Sequence, residues 1–268
     1  MPFAALRADW EIARRGYARY AAYRAATIAG LFTNTVFGFL RSFILLGLYE
    51  HRSVIGGYDA TVTLTYTWLT QALMTPIMVY GWRDLALRIR SGDIATDLVR
   101  PIEPLRAWLA FDLGRALYHF ISRGIPPFVL GALVFRLTAP GEPLVWLAFL
   151  VSVVLAVVVS FAFRFLYNVA SFWLVDDRGV AVLAMIAVSF FSGFLIPIAF
   201  FPDWLAAIAR ATPFPAMLQL PIDIFVGTAA GPQILATLAV QLAWAMALLA
   251  AAQGLLALGV RRLVVQGG

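Results

Sequence analysis

Residues 144–170 read LVWLAFLVSVVLAVVVSFAFRFLYNVA. A helix crosses the hydrocarbon core of a bilayer with about 20 apolar residues, so this stretch is long enough to span it. Across the 268 residues, 62% are hydrophobic and 13% are charged, whereas soluble domains carry about 25% charged residues. So few charges cannot cover a surface that faces water. The composition therefore predicts a polytopic membrane protein.

Five further segments have the same character. Lipid cannot hydrogen-bond an exposed backbone, so each segment must be helical, and the predicted fold class is all-α with six transmembrane helices. Residues 26–268 are predicted to form a single transmembrane domain, preceded by a separate helix over residues 1–25. The predicted spans are 26–49, 60–82, 112–136, 144–170, 180–201 and 232–259.

The placement of arginine predicts the orientation. Outside the predicted spans, 13 arginines lie on the side that holds both termini and three on the opposite side. Cytoplasmic segments of membrane proteins carry the excess of arginine and lysine, so both termini are predicted to be cytoplasmic. The net charge of +6 is thereby a topology signal, and no nucleic acid is expected as a partner.

Several classes of chemistry are excluded by counting. The chain has no cysteine, two histidines, and 20 basic residues that are all arginine. A phosphate-binding loop needs a lysine that reaches the terminal phosphates, so this chain is not expected to hold ATP. Thiolate catalysis and a histidine-rich metal site are excluded as well. We expect no catalytic residue, no metal and no cofactor in this chain.

Residues 1–25 form an amphipathic pattern with five arginines and no apolar core of signal-peptide length. Such a helix lies in the headgroup layer of a membrane. It is either a topological anchor or a lever that touches a cytoplasmic partner. The residues that share its apolar face are Leu6, Trp10, Ala13, Tyr17 and Tyr20.

The longest polar stretch reads WRDLALRIRSGDIATDLVRPIEPLR (82–106). One helix is predicted over 83–90, and Gly92 suits its C-terminal cap. Asp93 is a predicted N-cap for a short helix over 94–99, which two following prolines terminate. This is either a docking shape for a soluble partner or a capped, solvated connection. The apolar docking points would be Ile94, Leu98 and Val99.

Polar groups inside the membrane are costly, so each is a candidate for function. The threonines of the second span either line a pathway or hydrogen-bond their own helix or a neighbouring one. Gln71 needs a partner or a cavity, because its amide cannot be satisfied by its own turn. Arg41 either snorkels to the outer surface or pairs with Asp59 or Asp223. The candidates for a substrate pathway are Asn34, Phe37, Arg41, Thr63, Thr67, Thr70, Gln71, Met74, Ser189 and Ser192.

Span three begins with the polar stripe Asp112, Arg115, His119 and Arg123, on one helix face. Asp112 and Arg115 are predicted to form an ion pair. His119 lies about 10 Å along the helix from Asp112, too far for a catalytic pair. The stripe is predicted to face protein, either the N-terminal helix or a partner, and Pro126 and Pro127 should kink the span beyond it.

In span four, Arg164 is predicted to bond a neighbouring helix. Outside the membrane, residues 203–226 are cut by prolines into pieces that suit re-entrant or interfacial helices.

Five runs together resemble a family of bacterial permeases, the ABC-type-2 export permeases. The match extends over most of the chain in order, and the joint order of the runs is what makes it specific. The runs are IRSGDIATDLVRPIEP (89–104), NVASFWLVD (168–176), FFSGFLIPIAFFPDWL (190–205), ATPFPAMLQLPIDIFVG (211–227) and RRLVVQGG (261–268).

The resemblance implies an export permease in the bacterial inner membrane, with six spans per subunit. It implies that two permeases, identical or related, form a pathway above two separate ATPase subunits, which hold ATP and Mg. It also implies that residues 1–25 are a connecting helix, and that spans one, two and five face the subunit interface. The substrate would be apolar or amphipathic. The residues that match the family's ATPase-coupling helix are Gly92, Asp93, Ile94, Asp97, Leu98 and Pro101.

Two other functions are weighed against this one. A stand-alone channel or ion-coupled carrier normally needs carboxylates at mid-membrane depth, and most acids here lie in loops. An intramembrane enzyme is disfavoured by the lack of cysteine and of paired carboxylates.

Overall fold

The computed structural model describes residues 2–174 and 176–262. Twelve α-helices are found in these ranges, so the predicted all-α class is confirmed. Three short 3-10 turns and one π-helical turn join some of them, and an isolated bridge between Ile55 and Tyr58 is the only β-type pairing described. The helices are α1 Pro2–Ala21, α2 Arg24–Gly47, α3 Ala60–Ile77, α4 Asp84–Ser91, α5 Ile94–Leu98, α6 Pro104–His119, α7 Ile125–Val134, α8 Pro143–Val169, α9 Arg178–Phe191, α10 Asp203–Arg210, α11 Gln219–Val226 and α12 Pro232–Val260.

Four helical stretches of the described chain are long and apolar enough to cross a membrane. They match the first, third, fourth and sixth predicted spans. The second predicted span corresponds to the 18-residue α3 and the fifth to the 14-residue α9. Neither is among the four, so six crossings stay a prediction. The four stretches are Arg24–Gly47, Pro104–Val134, Pro143–Phe172 and Pro232–Val260.

α3 is the central helix of the fold, and this position explains its composition. Fourteen of its residues are buried by the surrounding protein. A helix enclosed by protein needs no lipid-like surface, so it tolerates a row of threonines. Asp59 accepts a hydrogen bond from the Val62 N–H at 2.7 Å and so caps the start of α3. The indole ring of Trp68 packs against Gly38 and Gly131, and a β-carbon at either glycine would collide with the ring.

Three predicted helix ends differ from the structure. Span two was predicted to reach residue 82, but α3 ends at Ile77, because Met78 takes a left-handed conformation with φ 61°. Span three starts at Pro104, eight residues before its predicted start. Span five ends at Phe191 rather than at residue 201, since Gly193 has φ 84° and leaves the helical path.

Where Pro126 and Pro127 were predicted to disturb the third span, the structure has a π-helical turn over Phe120–Gly124. Pro126 and Pro127 lack an N–H, and their rings clash with the carbonyls four residues earlier. The wider π turn removes that clash while the helix continues. The stretch from Pro104 to Val134 therefore stays helical throughout, with the π-helical turn near its middle.

The N-terminal helix packs along α6. Gly114 lies so close to Ala13, and Gly16 to Phe111, that a β-carbon on either glycine would collide with the facing backbone. Arg106 donates to Asp9 at 2.9 Å near the other end of the contact. α1 is thus fixed to the body of the protein, while its Leu6 and Trp10 are exposed. Its predicted place in the headgroup layer is not tested by these contacts.

Candidate functional site

A cavity of about 1050 Å³ lies between α2, α3 and α6. The end of α1 closes one side, and the Phe194–Leu195 turn lies at the opposite end. Its volume is at the upper end of the usual range for ligand pockets. Half of the predicted pathway candidates line it: Asn34, Phe37, Arg41, Gln71 and Met74.

The other candidates do not line this cavity. Thr67 donates to the Thr63 carbonyl at 2.8 Å, and Thr70 donates to the Thr67 carbonyl at 2.6 Å. The Thr67 and Thr70 hydroxyls thus bond their own helix, as one of the predicted alternatives has it, whereas the Thr63 hydroxyl shares a hydrogen bond with the Tyr49 hydroxyl. Ser189 and Ser192 lie outside the cavity, although the Ser192 hydroxyl is buried and has no partner among the described residues.

Gln71 lies at the cavity, which is one of the two environments predicted for its side chain. It lines the cavity, and its Oε1 has no hydrogen-bond donor among the described residues. Asn34 faces it from α2, and its Nδ2 lies 3.5 Å from both the Gln71 carbonyl and the Thr75 hydroxyl. These distances are longer than usual, so the two amides offer spare polar capacity to a ligand in the cavity.

Arg41 pairs with no carboxylate among the described residues, so the second of its two predicted alternatives is wrong. Its guanidinium donates to the backbone carbonyls of Phe194 at 2.6 Å and Leu195 at 2.8 Å. These carbonyls are free because the chain leaves the helical path after Phe191. Asp59 instead caps α3, and Asp223 accepts hydrogen bonds from Tyr58 and from other neighbours. Arg41 therefore fixes a helix break that borders the cavity.

The predicted ion pair between Asp112 and Arg115 is confirmed, and Arg164 joins it. Arg115 Nε lies 2.7 Å from Asp112 Oδ1, and Arg164 Nη2 lies 2.8 Å from Oδ2. All three side chains are buried. Arg115 also donates to the carbonyls of Thr75 at 3.0 Å and Pro76 at 2.7 Å. The triad thus joins α6, α8 and the end of α3. The sequence predicted that Arg164 would bond a neighbouring helix, but not which residue it would bond.

The other two residues of the polar stripe face the cavity. His119 packs edge-on against Tyr20 of α1, with ring centroids 5.0 Å apart, as the predicted contact with the N-terminal helix requires. Its Nδ1 is buried without a partner. Arg123 lines the cavity from the π-helical turn, and its guanidinium lies against Gly30 of α2. Its Nε is also buried and has no partner among the described residues.

The segment between α3 and α6 folds into two short helices, close to the prediction. α4 ends at Gly92, whose φ of 81° gives the expected left-handed cap. Asp93 stands at the start of α5 but does not cap it. Its backbone is helical, with φ −62°, and its carboxylate accepts a hydrogen bond from the Ser91 hydroxyl at 2.7 Å. A helical Asp93 backbone cannot aim the side chain at the next turn, so the predicted cap is wrong.

The predicted coupling residues divide into two groups. Ile94 is fully buried and packs with residues of α4 and α8, so it anchors α5 and is not an outward docking point. Asp97 is also buried and accepts a forked pair of hydrogen bonds from Arg88 at 2.9 and 3.0 Å. Val99 is 84% exposed. The remaining predicted residues are exposed at Gly92, Asp93 and Pro101 and half-buried at Leu98.

Asn168 and Arg83 tie α4 to the ends of α8 and α9. Asn168 Oδ1 accepts from the Ala86 N–H at 3.0 Å, and its Nδ2 donates to the Trp82 carbonyl at 2.8 Å. Arg83 Nη2 lies 2.7 Å from Asp177 Oδ1. The hydrogen bonds from Arg83 lower the pKa of Asp177 below its usual value. The sequence did not predict these ties.

No group of three His, Asp or Glu side chains that could hold a metal occurs in the described ranges. The four long apolar helical stretches, with several charged and polar side chains buried between them, are typical of a multi-pass membrane protein. The family described as ABC-2 family transporter protein matches residues 36–267, and the chain belongs to this family. The resemblance found in the sequence is thereby confirmed, although its last run, beyond residue 262, lies outside the described residues. Permeases of this family typically pair with an ATPase subunit. No curated protein and no solved structure matches the chain.

Proposed function

We propose that this chain is the permease subunit of an ATP-driven exporter. It crosses the bacterial inner membrane six times with both termini in the cytoplasm, and it pairs with a second permease and two separate ATPase subunits. The second permease is a copy of this chain or a relative. The partner ATPases hold ATP and Mg, and the substrate is apolar or amphipathic. Family membership supports the class, and the α4–α5 segment supports the coupling to an ATPase.

The observation that carries the proposal is how α4 and α5 are held. A coupling element must resist deformation, because force applied to a loose loop is lost in bending the loop. Arg88 and Asp97 lock α5 onto α4, and Asn168 locks α4 onto α8. Val99 at the end of α5 is left exposed, as is Leu87 on α4. A rigid bracket with exposed apolar points at Leu87 and Val99 suits a soluble partner.

The exposure of α2 supports pairing with a second permease. Only Asn34, Gly38, Ser42 and Leu45 of this helix are buried. Phe32, away from the cavity, and Ile44, on the cavity side, are each 70% exposed. The cavity is lined from this same helix, so a second subunit placed against α2 would complete the wall of the cavity.

The alternative, an ion-coupled carrier, is weakened by Asp112. It is a buried carboxylate within an apolar helical stretch, the type of group that could carry a coupling proton. However, Arg115 and Arg164 both donate to it. Two arginines at hydrogen-bond distance stabilise the charged form, so Asp112 is poorly suited to bind and release a proton during a cycle.

The test is to express the chain with the ATPase subunits encoded beside its gene and to purify through the permease. Val99→Asp places a charge at the proposed contact without touching the core. We expect it to abolish ATPase copurification and ATP-dependent transport. Val54→Asp is the matched control, because Val54 is also an exposed valine and lies in the predicted external loop. Normal ATPase association in Val99→Asp, or copurification of no ATPase with the unchanged chain, would contradict the proposal.

A further inference from the structure

The wall of the cavity is cationic. Arg41, Arg115 and Arg123 contribute to it, and its lining contains no aspartate or glutamate. A cavity with low-dielectric walls and charges of one sign concentrates ligands of the opposite sign. The charge of the lining therefore bears on what the cavity binds.

Arg123 differs from the other two arginines in its bonding. Arg115 is held by Asp112 and by two backbone carbonyls, and Arg41 is held by the carbonyls of Phe194 and Leu195. Arg123 makes no such bond to the described residues, and its Nε is buried. An arginine within a membrane segment is costly without an acceptor. Its surroundings thus lack the anion or carbonyl that would satisfy it.

α2 is shaped to accept this arginine. A β-carbon at Gly30 would collide with the Arg123 guanidinium. Gly30 lies six residues after the start of α2 at Arg24, so the guanidinium sits about 9 Å along the helix from the α1–α2 junction. His119, one helical turn before Arg123, adds a second unpartnered nitrogen at this end of the cavity.

Beyond this polar end the lining is mainly apolar. From Gly30 to Ile44, α2 covers about 21 Å at about 1.5 Å per residue. Phe37, Leu40 and Ile44 line the cavity from α2, and Met74 lines it from α3. A polar, cationic end followed by an extended apolar surface matches the two parts of an amphiphile with an anionic headgroup.

We propose that Arg123, His119 and Gly30 form the binding site for the anionic headgroup of an amphiphile whose apolar part lies along Phe37, Leu40 and Met74. Arginine suits such a headgroup, because its planar donors match the oxygens of a phosphate or carboxylate. The proposal deepens the proposed function, since it assigns a charge to the substrate of the same cavity.

The test compares two probes that share a dodecyl tail and differ in the charge of the headgroup, together with a phosphate that has no tail. Binding of dodecyl phosphate, dodecyltrimethylammonium and inorganic phosphate to the purified full chain in maltoside micelles is measured by native mass spectrometry or thermal shift. We expect dodecyl phosphate to bind at least about tenfold more tightly than the cationic probe, as one charge-assisted hydrogen bond provides. Inorganic phosphate, which lacks the tail, should bind much more weakly. Equal affinity for both amphiphiles would overturn the site, and phosphate binding as tight as dodecyl phosphate would overturn the role of the tail.

Two variants locate the effect. Arg123→Gln should remove the preference for the anionic probe by about tenfold or more. Gly30→Ala should weaken it through a different change, because the added methyl group displaces the guanidinium. Arg136→Gln is the matched control, since Arg136 is an exposed arginine beyond the end of α7. An unchanged preference in Arg123→Gln, or an equal loss in Arg136→Gln, would refute the assignment.

A competition experiment, in which lipids displace dodecyl phosphate, identifies the source of the headgroup. Phosphatidylglycerol that displaces dodecyl phosphate, where phosphatidylcholine does not, would identify an anionic membrane lipid as the ligand. No displacement by either lipid would leave an anionic exported amphiphile as the ligand, and both outcomes keep the proposed chemistry. These measurements need no ATPase. Loss of the anion preference together with normal ATPase association would refute this site alone, whereas the reverse result would refute only the proposed function.

Discussion

Asp112→Asn tests whether the buried triad holds three helices together. In the wild-type protein the two carboxylate oxygens accept from Arg115 at 2.7 and 3.3 Å and from Arg164 at 3.3 and 2.8 Å. An asparagine of the same shape keeps one acceptor and turns an NH₂ group toward guanidinium donors. Two arginines then remain buried beside each other without a counter-charge. Removing one partner of a buried ion pair costs about 3–5 kcal/mol.

The assay is thermal unfolding of the purified chain in detergent, with the remaining folded protein measured by fluorescence-detected size exclusion. In a soluble domain of similar size this loss lowers Tm by about 6–20 °C, and we expect a decrease of that order. Glu142→Gln is the control, because Glu142 makes no side-chain cap bond and lies exposed at the start of α8. Asp112→Asn combined with Arg164→Met removes one of the stranded charges and should recover part of the loss. A Tm for Asp112→Asn within about 2 °C of wild type would refute a stabilising role for the triad.

Three further variants test other contacts. Arg83 lowers the pKa of Asp177, so this pair stabilises the fold above the unfolded pKa of about 4 and loses its effect as the pH falls through the lowered value. Asp177→Asn should therefore flatten the fall of Tm below about pH 4. An unchanged dependence of Tm on pH would contradict this. Arg41→Met leaves two carbonyls without their donor, so amide hydrogen exchange over residues 192–197 should accelerate while exchange in α12 stays unchanged. Gly114→Val forces α1 away from α6 at Ala13, so limited proteolysis should cleave α1 faster, and wild-type cleavage rates would show that the helices do not pack this closely.

Local backbone features were predicted correctly from the sequence wherever a single residue determines the backbone conformation. Gly92 ends α4 because only glycine enters the left-handed region cheaply, and Pro126 and Pro127 disturb the helix wherever they occur. Hydropathy located the helices that meet lipid. It could not reveal that α3 is enclosed by protein, because burial by neighbouring helices depends on the whole fold. The end of α9 was missed for a related reason, since the helix leaves its path at Gly193 within a run that is still apolar.

The site was harder to predict than the fold. Charged residues inside apolar spans correctly marked Asp112, Arg115 and Arg164 as groups in need of partners. Partner choice depends on how helices rotate against each other, which one sequence does not fix. Arg41 shows the difficulty, because its acceptors are backbone carbonyls that become free only at the break after α9. Carbonyls carry no sequence signature, so the sequence offered only snorkelling or a carboxylate partner for Arg41.

These contacts form a continuous series from the α4–α5 segment to the cavity. Asn168 of α8 binds the backbone of α4 and the Trp82 carbonyl, and one turn earlier Arg164 lies with its guanidinium 6.0 Å from the Trp82 ring. Arg164 shares Asp112 with Arg115, which holds the last carbonyls of α3 and also lines the cavity. A displacement of α4 must therefore break the Asn168 bonds or move α8 with it. Movement of α8 in turn must separate Arg164 from Asp112 at high cost or shift α6 and the end of α3. The buried charges thus make it costly for the α4–α5 segment and the cavity wall to move independently.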